Sequence, residues 1–492
     1  MNANLRSAHL WSGLGLVAPL RARVLGELPE GVNGISIDTR TLEPGELFFA
    51  IKGDNSDGHD YVAAAFARGA AAAVIDEAHA NALKHLGTVY IVRDVLKAME
   101  GLGRAARRRS RARIVAVTGS VGKTSTKEAL RKVFSDVGPT HASEKSYNNH
   151  WGVPLMLARL PEDARYAVFE IGMNHAGEIT ALVDMVRPQI AVVTNVAPVH
   201  LEHFVDEAGI ARAKAEIFSG LVKGGVAIIN RDIATFDILE QAAKASVAGH
   251  LLTFGEDPAA EAQLISVEQD GTFSRVTARI LGEELHFTLG APGKHQALNA
   301  MAVLLAARAA GLDVHKAAES LAELTPPKGR GAREKLWLNP ELPGSEILLI
   351  DESYNANPAS MRAAIELLSA ARVEGEGRRI AVLGDMLELG VNGPEMHRAV
   401  ADDLRSAHVD LVFAAGPLSR NLFDALPAPM QGGWAENAAA LEPFLMVSLK
   451  PGDAIMVKGS NGSKMHMLAA ALKARYAAPQ SGSAAPETQQ EA

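Results

Sequence analysis

Residues Ile114–Glu128 read Ile-Val-Ala-Val-Thr-Gly-Ser-Val-Gly-Lys-Thr-Ser-Thr-Lys-Glu. A β-branched apolar run ends in a glycine-rich turn, and a Lys-Thr pair opens a stretch of helical character. The pattern predicts a strand, a loop and a helix start. The N–H groups of such a loop face anionic oxygens, and the helix N-terminus adds its positive end. Lys123 is long enough to reach outer phosphates, and the Thr124 hydroxyl suits a Mg²⁺ ion. Gly119, Ser120, Val121, Gly122 and Ser125 complete the expected phosphate cradle. The eight-residue form of this loop wants Gly at position 117, where this chain has Val, so the form present is the shorter Gly-x-x-Gly-Lys-Thr.

The chain has 492 residues, 48% of them apolar, and no cysteine. That length fits about three domains. The absence of cysteine excludes disulfides and thiolate metal sites. The formal charge is −8, which argues against nucleic-acid binding as the main role. The basic run Arg104–Arg113 reads as a solvated linker or a helix end. No apolar stretch is long enough to span a bilayer. The first residues lack a signal peptide's pattern, so a cytoplasmic protein without membrane insertion is expected.

Around the loop, the pattern predicts an α/β chain in three parts. Residues 1–110 form a small α/β domain with strands at Gly34–Arg40, Gly45–Ile51, Ala73–Ile75 and Val89–Val92. Residues 111–325 alternate strands and helices, which implies a parallel sheet with crossover helices. There, Ala262–Leu289 switches to apolar/polar alternation, the mark of an antiparallel patch. Thr325–Gly331, rich in Pro and Gly, reads as a linker. Residues 326–476 carry strands at Ile347–Ile350, Ile380–Leu383, Leu411–Ala414 and Ala454–Val457, a second doubly wound, Rossmann-like sheet. Residues 477–492 are expected to be disordered.

Ligands of open α/β sheets sit at the carboxyl ends of strands, and several polar groups fall there. Glu170 ends one strand and is either a Mg²⁺ ligand or a surface acid. His200 follows another. Lys214 is either an exposed helix lysine or a lysine carbamylated by CO₂, which would make it a carboxylate-like metal ligand. Asn148-Asn149 is either a turn or a pair of amides for a phosphate or a carboxylate. Asp351–Pro358 packs polar groups after a buried strand, with Asn357 suited to cap the next helix. Lys458-Gly459-Ser460 ends another strand facing the same crevice, a peptide or phosphate site.

Together these motifs resemble the Mur ligases, ATP-dependent amide-forming enzymes of peptidoglycan precursor synthesis. The resemblance runs from about Gly34 to Lys473. It rests on Thr118–Thr124, Asn148-Asn149-x-x-Gly152-x-Pro154, Glu170, His200, Lys214, Asn299 and Asp351. Glu170–Ile179, Asp351–Pro358 and Gly384–Gly390 are similar to the branch that joins D-alanyl-D-alanine to a UDP-N-acetylmuramoyl-tripeptide. Those two molecules are therefore the expected partners, with a monomer as the expected unit.

The resemblance implies a role for each site. Lys123 neutralises the ATP phosphates, and Thr124 and Glu170 hold Mg²⁺. His200 and carbamylated Lys214 hold a second Mg²⁺. Asn149 lies near the γ-phosphate and Asn299 on the nucleotide. Arg330, or Arg333 in its place, reaches the phosphates from the third domain, and Asp351 contacts ATP across the gap. Asn355 and Asn357, with Lys458 in the same crevice, lie near the dipeptide. Ser36-Ile37-Asp38-Thr39-Arg40, with Gly53 and Asp57-Gly58-His59, resembles the UDP-sugar domain, so Ser36, Thr39 and Arg40 are expected at that substrate. A folylpolyglutamate synthase would lack this last motif. A non-catalytic nucleotide switch would need the loop without Glu170, His200 and Lys214.

Overall fold

The computed structural model describes residues 9–477, apart from 199–201, 203 and 271. His200 and the tail from residue 478 therefore lie outside the described residues. Three sheets follow one another along the chain.

The first is built from β1 (Arg23–Leu25), β2 (Gly34–Ser36), β3 (Glu46–Phe49), β4 (Ala72–Asp76) and β5 (Val89–Val92), in the spatial order 1-5-4-3-2. Only β1 runs antiparallel to its neighbour. The strand expected over Gly34–Arg40 stops at Ser36. The Asp38 carboxylate accepts the Arg40 N–H at 3.0 Å and turns the chain, a local bond that competes with sheet pairing.

Helix α1 (Val95–Arg109) leads out of this sheet. It packs on α3 (Gly152–Ala158), beyond α2 (Lys123–Ser135), closely enough that a Cβ on Gly103 would lie 3.1 Å from the Pro154 carbonyl. One apolar core runs through both regions, from Trp11 and Leu47 to Met156 and Phe169. The basic run begins in the last turns of α1 and continues past its end to Arg113. Arg107 donates 2.7 Å bonds to the carbonyls of Val186 and Arg187 at the end of another helix, where cations are favoured.

The central sheet contains β6 (Arg113–Thr118), β7 (Thr140–Ala142), β8 (Tyr166–Glu170), β9 (Ile190–Val193), β10 (Val226–Asn230), β11 (His250–Gly255), β12 (Ala262–Asp270), β13 (Phe273–Ile280) and β14 (Glu283–Leu289). Their order is 14-13-12-11-10-9-6-8-7. Strands 6 to 11 are parallel, and the central ones, β6, β8, β9 and β10, are almost wholly buried, hence their apolar runs. The antiparallel patch is present as β12–β14, joined to the main sheet through a parallel β11–β12 pair. The strand order reverses at β6, with β8 on one side and β9 on the other. A crevice opens at that reversal.

The third sheet comprises β15 (Ala332–Trp337), β16 (Glu346–Glu352), β17 (Arg379–Gly384), β18 (Leu411–Ala415), β19 (Gln431–Ala435) and β20 (Ala454–Lys458), ordered 15-16-20-17-18-19. β15, absent from the sequence reading, lies antiparallel on the edge. Its Arg, Glu and Lys residues hide its periodicity. Residues 325–331 form no helix or strand. Apolar clusters cover both faces of the sheet.

Candidate active site between the phosphate loop and the third sheet

The loop after β6 sits in the crevice of the central sheet. Gly119 adopts φ +152°, and a Cβ there would lie 2.0 Å from the Thr194 hydroxyl. Gly122 has φ +88°, and a Cβ would lie 2.7 Å from the Asn299 side-chain oxygen. Both positions need glycine, for space and for the left-handed backbone at Gly122. The strand end after β9 clamps the loop. The Ser120 N–H donates to the Asn195 carbonyl at 2.8 Å, and the Thr194 hydroxyl donates to the Val121 carbonyl at 2.5 Å. Asn195 and Thr194 belong to the site yet escaped the sequence reading.

Glu170 ends β8 directly beside β6, paired in register with Val117. Its carboxylate accepts the Thr124 hydroxyl at 2.9 Å and the Asn148 amide at 2.8 Å. Thr124 and Glu170 are both buried. Two hard oxygen donors side by side at a phosphate loop fit Mg²⁺, which takes one or two protein oxygens and completes its shell with water and phosphate. The carboxylate is thus an interior group rather than a surface acid.

Asn149 turns its amide oxygen to the N–H groups of Trp151 and Gly152, so it shapes the start of α3. Asn148, its neighbour, makes the contact to Glu170.

A cavity of about 210 Å³ lies between this loop and the third sheet. One wall carries Gly122–Ser125, Asn230, His295 of helix α5 (Lys294–Ala309) and Asn299. The other carries Arg330, Glu352, Tyr354, Asn355, Asn357 and Lys458. Arg330 reaches the cavity and stacks 4.1 Å above the Tyr354 ring. Arg333, on β15, is not part of the wall. Asn357 caps helix α6 (Pro358–Ser369) through the Ser360 N–H at 2.9 Å. The Lys458 amine donates to the Asn355 carbonyl at 3.0 Å and lies 3.4 Å from Glu352. Asp351 turns away from the cavity: one oxygen accepts the Ser353 hydroxyl and the other pairs with Lys473 at 2.8 Å. The neighbouring Glu352 faces the cavity instead. His295, Glu352 and Tyr354 were not singled out from sequence.

The electrostatics are one-sided. The Lys123 amine folds back on the Gly119 carbonyl at 2.6 Å. Burial pushes its pKa down, Glu170 opposes that shift, and Arg330 adds to it. Burial also lowers Lys458, with Glu352 opposing and Arg330 contributing. Lys214, in helix α4 (Glu207–Ala215, between α3 and α5), is buried and not the exposed lysine its helical spacing allows. Burial drives its pKa well down and Lys123 pushes it further. Among the described residues no carboxylate lies within ion-pair reach of Lys214. Buried like charges repel one another, so the cavity favours a ligand bearing several negative charges.

A second cleft joins the first sheet to the central one. Thr39, Arg40 and Tyr61 face Tyr147 and Trp151 across it. Arg40 is exposed and paired with Asp38 at 2.7 Å. Ser36 is buried beneath, its hydroxyl on the Asp38 carbonyl. Next to it, His59 donates from Nδ1 to Asp57 at 2.6 Å and accepts the Asp76 N–H on Nε2 at 3.1 Å. Both ring nitrogens are spent, so the Asp57–His59–His79 cluster braces the loop rather than holding a metal.

A phosphate loop, a buried carboxylate beside it and an opposing wall that carries Arg330 and Lys458 define an ATP-using ligase architecture. Family models match in three stretches: Mur ligase family, catalytic domain, over residues 31–109; Mur ligase middle domain over 117–307; and Mur ligase, glutamate ligase domain, over 342–461. The chain is 35% identical over 448 residues to the UDP-N-acetylmuramoyl-tripeptide–D-alanyl-D-alanine ligase of Escherichia coli (strain K12), covering 90% of this chain and 94% of that one. It is 33% identical over 437 residues to the protein of the same name from Bacillus subtilis (strain 168), covering 88% and 92%. A crystal structure of MurF from Acinetobacter baumannii superposes with a TM-score of 0.81 at 29% identity, covering 94% of this chain and 98% of that one. The chain belongs to the Mur ligase family.

Lys123 lines the cavity beside the phosphate loop, and the role expected of it is to act on charge that develops during phosphoryl transfer. Lys123→Ala therefore lowers kcat for ADP formation by at least about 100-fold. Steady-state kinetics check this, and a rise in KM with kcat unchanged would contradict it.

Proposed function

We propose that this chain joins D-alanyl-D-alanine to UDP-N-acetylmuramoyl-tripeptide in the cytoplasm, at the expense of ATP. The observation that carries the reading is the cavity wall shared by two sheets: the phosphate loop and Glu170 on one side, Arg330, Asn355 and Lys458 on the other. The curated relatives' names supply the substrates. One chain carries every wall, which supports a monomer as the working unit.

A free carboxylate does not accept an amine at neutral pH, because its leaving group is poor. In the proposed reaction a substrate carboxylate oxygen attacks the γ-phosphorus and ADP leaves with the bonding electron pair. The amine nitrogen of the dipeptide then attacks the acyl carbon, phosphate leaves, and the nitrogen loses its proton.

Two anions must meet in the first step. The Lys123 ammonium and the Arg330 guanidinium lower that repulsion from opposite walls. Asn299, beside Gly122, bounds the nucleotide, and Asn149 acts indirectly by fixing the turn next to Asn148. Thr124 and Glu170 would hold Mg²⁺, which supplies further charge neutralisation when bound. Asp351, tied to Lys473, orients the strand end that presents Glu352. Asn355, Asn357 and Lys458 offer amide and ammonium donors for the dipeptide. The Thr39–Arg40 cleft, with Ser36 bracing it, takes the UDP-sugar. Closure of the third sheet over the loop keeps water from the acyl phosphate.

Lys214 is proposed to be carbamylated, with His200 as its companion ligand for a second Mg²⁺. A buried amine without a carboxylate partner favours its neutral, CO₂-reactive form. Lys214→Ala then loses activity and regains part of it with short carboxylic acids such as acetate. Absence of any rescue across a concentration series would contradict carbamylation.

A phosphate-release assay tests the overall reading. Phosphate appears in proportion to pentapeptide product only when UDP-tripeptide, D-alanyl-D-alanine and Mg-ATP are all present. Equal release without the dipeptide, or with a folate substrate in place of the UDP-tripeptide, would contradict it.

A further inference from the structure

Ser143–Asn149 connects β7 to the turn before α3 and touches more partners than a connection needs. At its start, the buried Lys127 amine of α2 donates to the Ser143 carbonyl at 2.7 Å, and the Ser143 hydroxyl accepts the Glu170 N–H at 3.2 Å. At its end, the Asn148 amide donates to the Glu170 carboxylate at 2.8 Å. Between these anchors, the Ser146 carbonyl accepts the Asn148 N–H at 2.8 Å. The Ser146 hydroxyl is hydrogen-bonded to the Tyr354 hydroxyl of the third sheet. Tyr354 is also the platform under Arg330, and its own N–H donates to the Gly329 carbonyl at 3.1 Å. A continuous run of bonds therefore leads from the third sheet, through Tyr354, Ser146 and Asn148, to Glu170.

We propose that the Ser146–Tyr354 contact is a positioning clasp: docking of the third sheet fixes Asn148, and through it the orientation of the Glu170 carboxylate. Neither Ser146 nor Asn148 lines the cavity, so their effect is indirect. The clasp sets Arg330 and Glu170 together, because one tyrosine holds both. The site is thereby completed only when the third sheet is in place, which limits ATP hydrolysis in the open form.

The inference rests on the ligase reading above, and its test separates the two. Tyr354→Phe keeps the ring beneath Arg330 and removes only the hydroxyl; Ser146→Ala removes the other half. Each single variant is expected to lower kcat about tenfold with KM for ATP changed less than about twofold, the mark of an interaction made on the way to the transition state. The double variant is expected to lose no more than either single, since both remove one bond. Small-angle scattering of the protein without substrates gives an independent readout: both variants have a larger radius of gyration than the wild type, with unchanged melting temperature. Wild-type kcat in Tyr354→Phe, a double variant losing about 100-fold, or unchanged scattering would each overturn the clasp. A wild type that releases no phosphate from the three substrates would instead overturn the ligase reading, and the scattering comparison would still judge the clasp.

Discussion

The structure depends on positive charge held away from water at one place. Lys458 is buried, Lys123 is half-buried at the cavity wall, and Arg330, in the segment that leads to the third sheet, leans over the same cavity. Burying an ammonium costs several kcal/mol unless an opposite charge comes with it. Among the described residues, Glu170 and Glu352 are the acids that offset Lys123 and Lys458. That deficit of negative charge is what a triphosphate supplies. The glycines at 119 and 122 and the clamp from Thr194 and Asn195 fix the loop's shape, and the helix that starts at Lys123 points its N-terminus at the cavity the loop lines. Binding energy is thereby concentrated on the group that is transferred.

The same constraint explains the division into sheets. A phosphate loop on a single parallel sheet binds a nucleotide but leaves its outer phosphate open to water. Here the opposing wall is made by the irregular segment 325–331, which carries Arg330, and by the sheet it leads to, which brings Asn355 and Lys458. The first sheet, by contrast, shares a continuous core with the central one. One substrate cleft is thus built on a junction with a shared core and the other on a junction made through an irregular segment, and the proposed opening of the latter suits a reaction that must admit three molecules and exclude water.

Much of this was legible in the sequence. The β6–loop–α2 unit follows from its apolar run, its glycines and its Lys-Thr pair, and the parallel strands stand out because strands buried on both faces read as unbroken apolar runs. The antiparallel patch was visible through its alternation. What escaped was set by tertiary direction. Asp351 and Glu352 are adjacent on β16, and alternate residues of a strand face opposite ways; composition cannot say which one meets the cavity. Asn148 and Asn149 pose the same problem within a turn. Lys214 looked like a surface lysine because its neighbours fit an amphipathic face, and only the packing of α4 shows it buried. β15 is a polar edge strand and carries too little apolar pattern to announce itself. The family resemblance named most of the cavity, but His295, Glu352 and Tyr354 emerged only when the two walls were brought together.

The central claim is that Gly119–Thr124 and Glu170 form a metal-dependent triphosphate site. Isothermal titration of Mg-ATP into the wild-type protein and into Glu170→Gln tests it most directly. The account predicts saturable binding to the wild type that weakens at least about tenfold when Mg²⁺ is chelated, with Glu170→Gln insensitive to the metal. No measurable affinity of the wild-type protein for Mg-ATP, or the same metal dependence in both proteins, would contradict it.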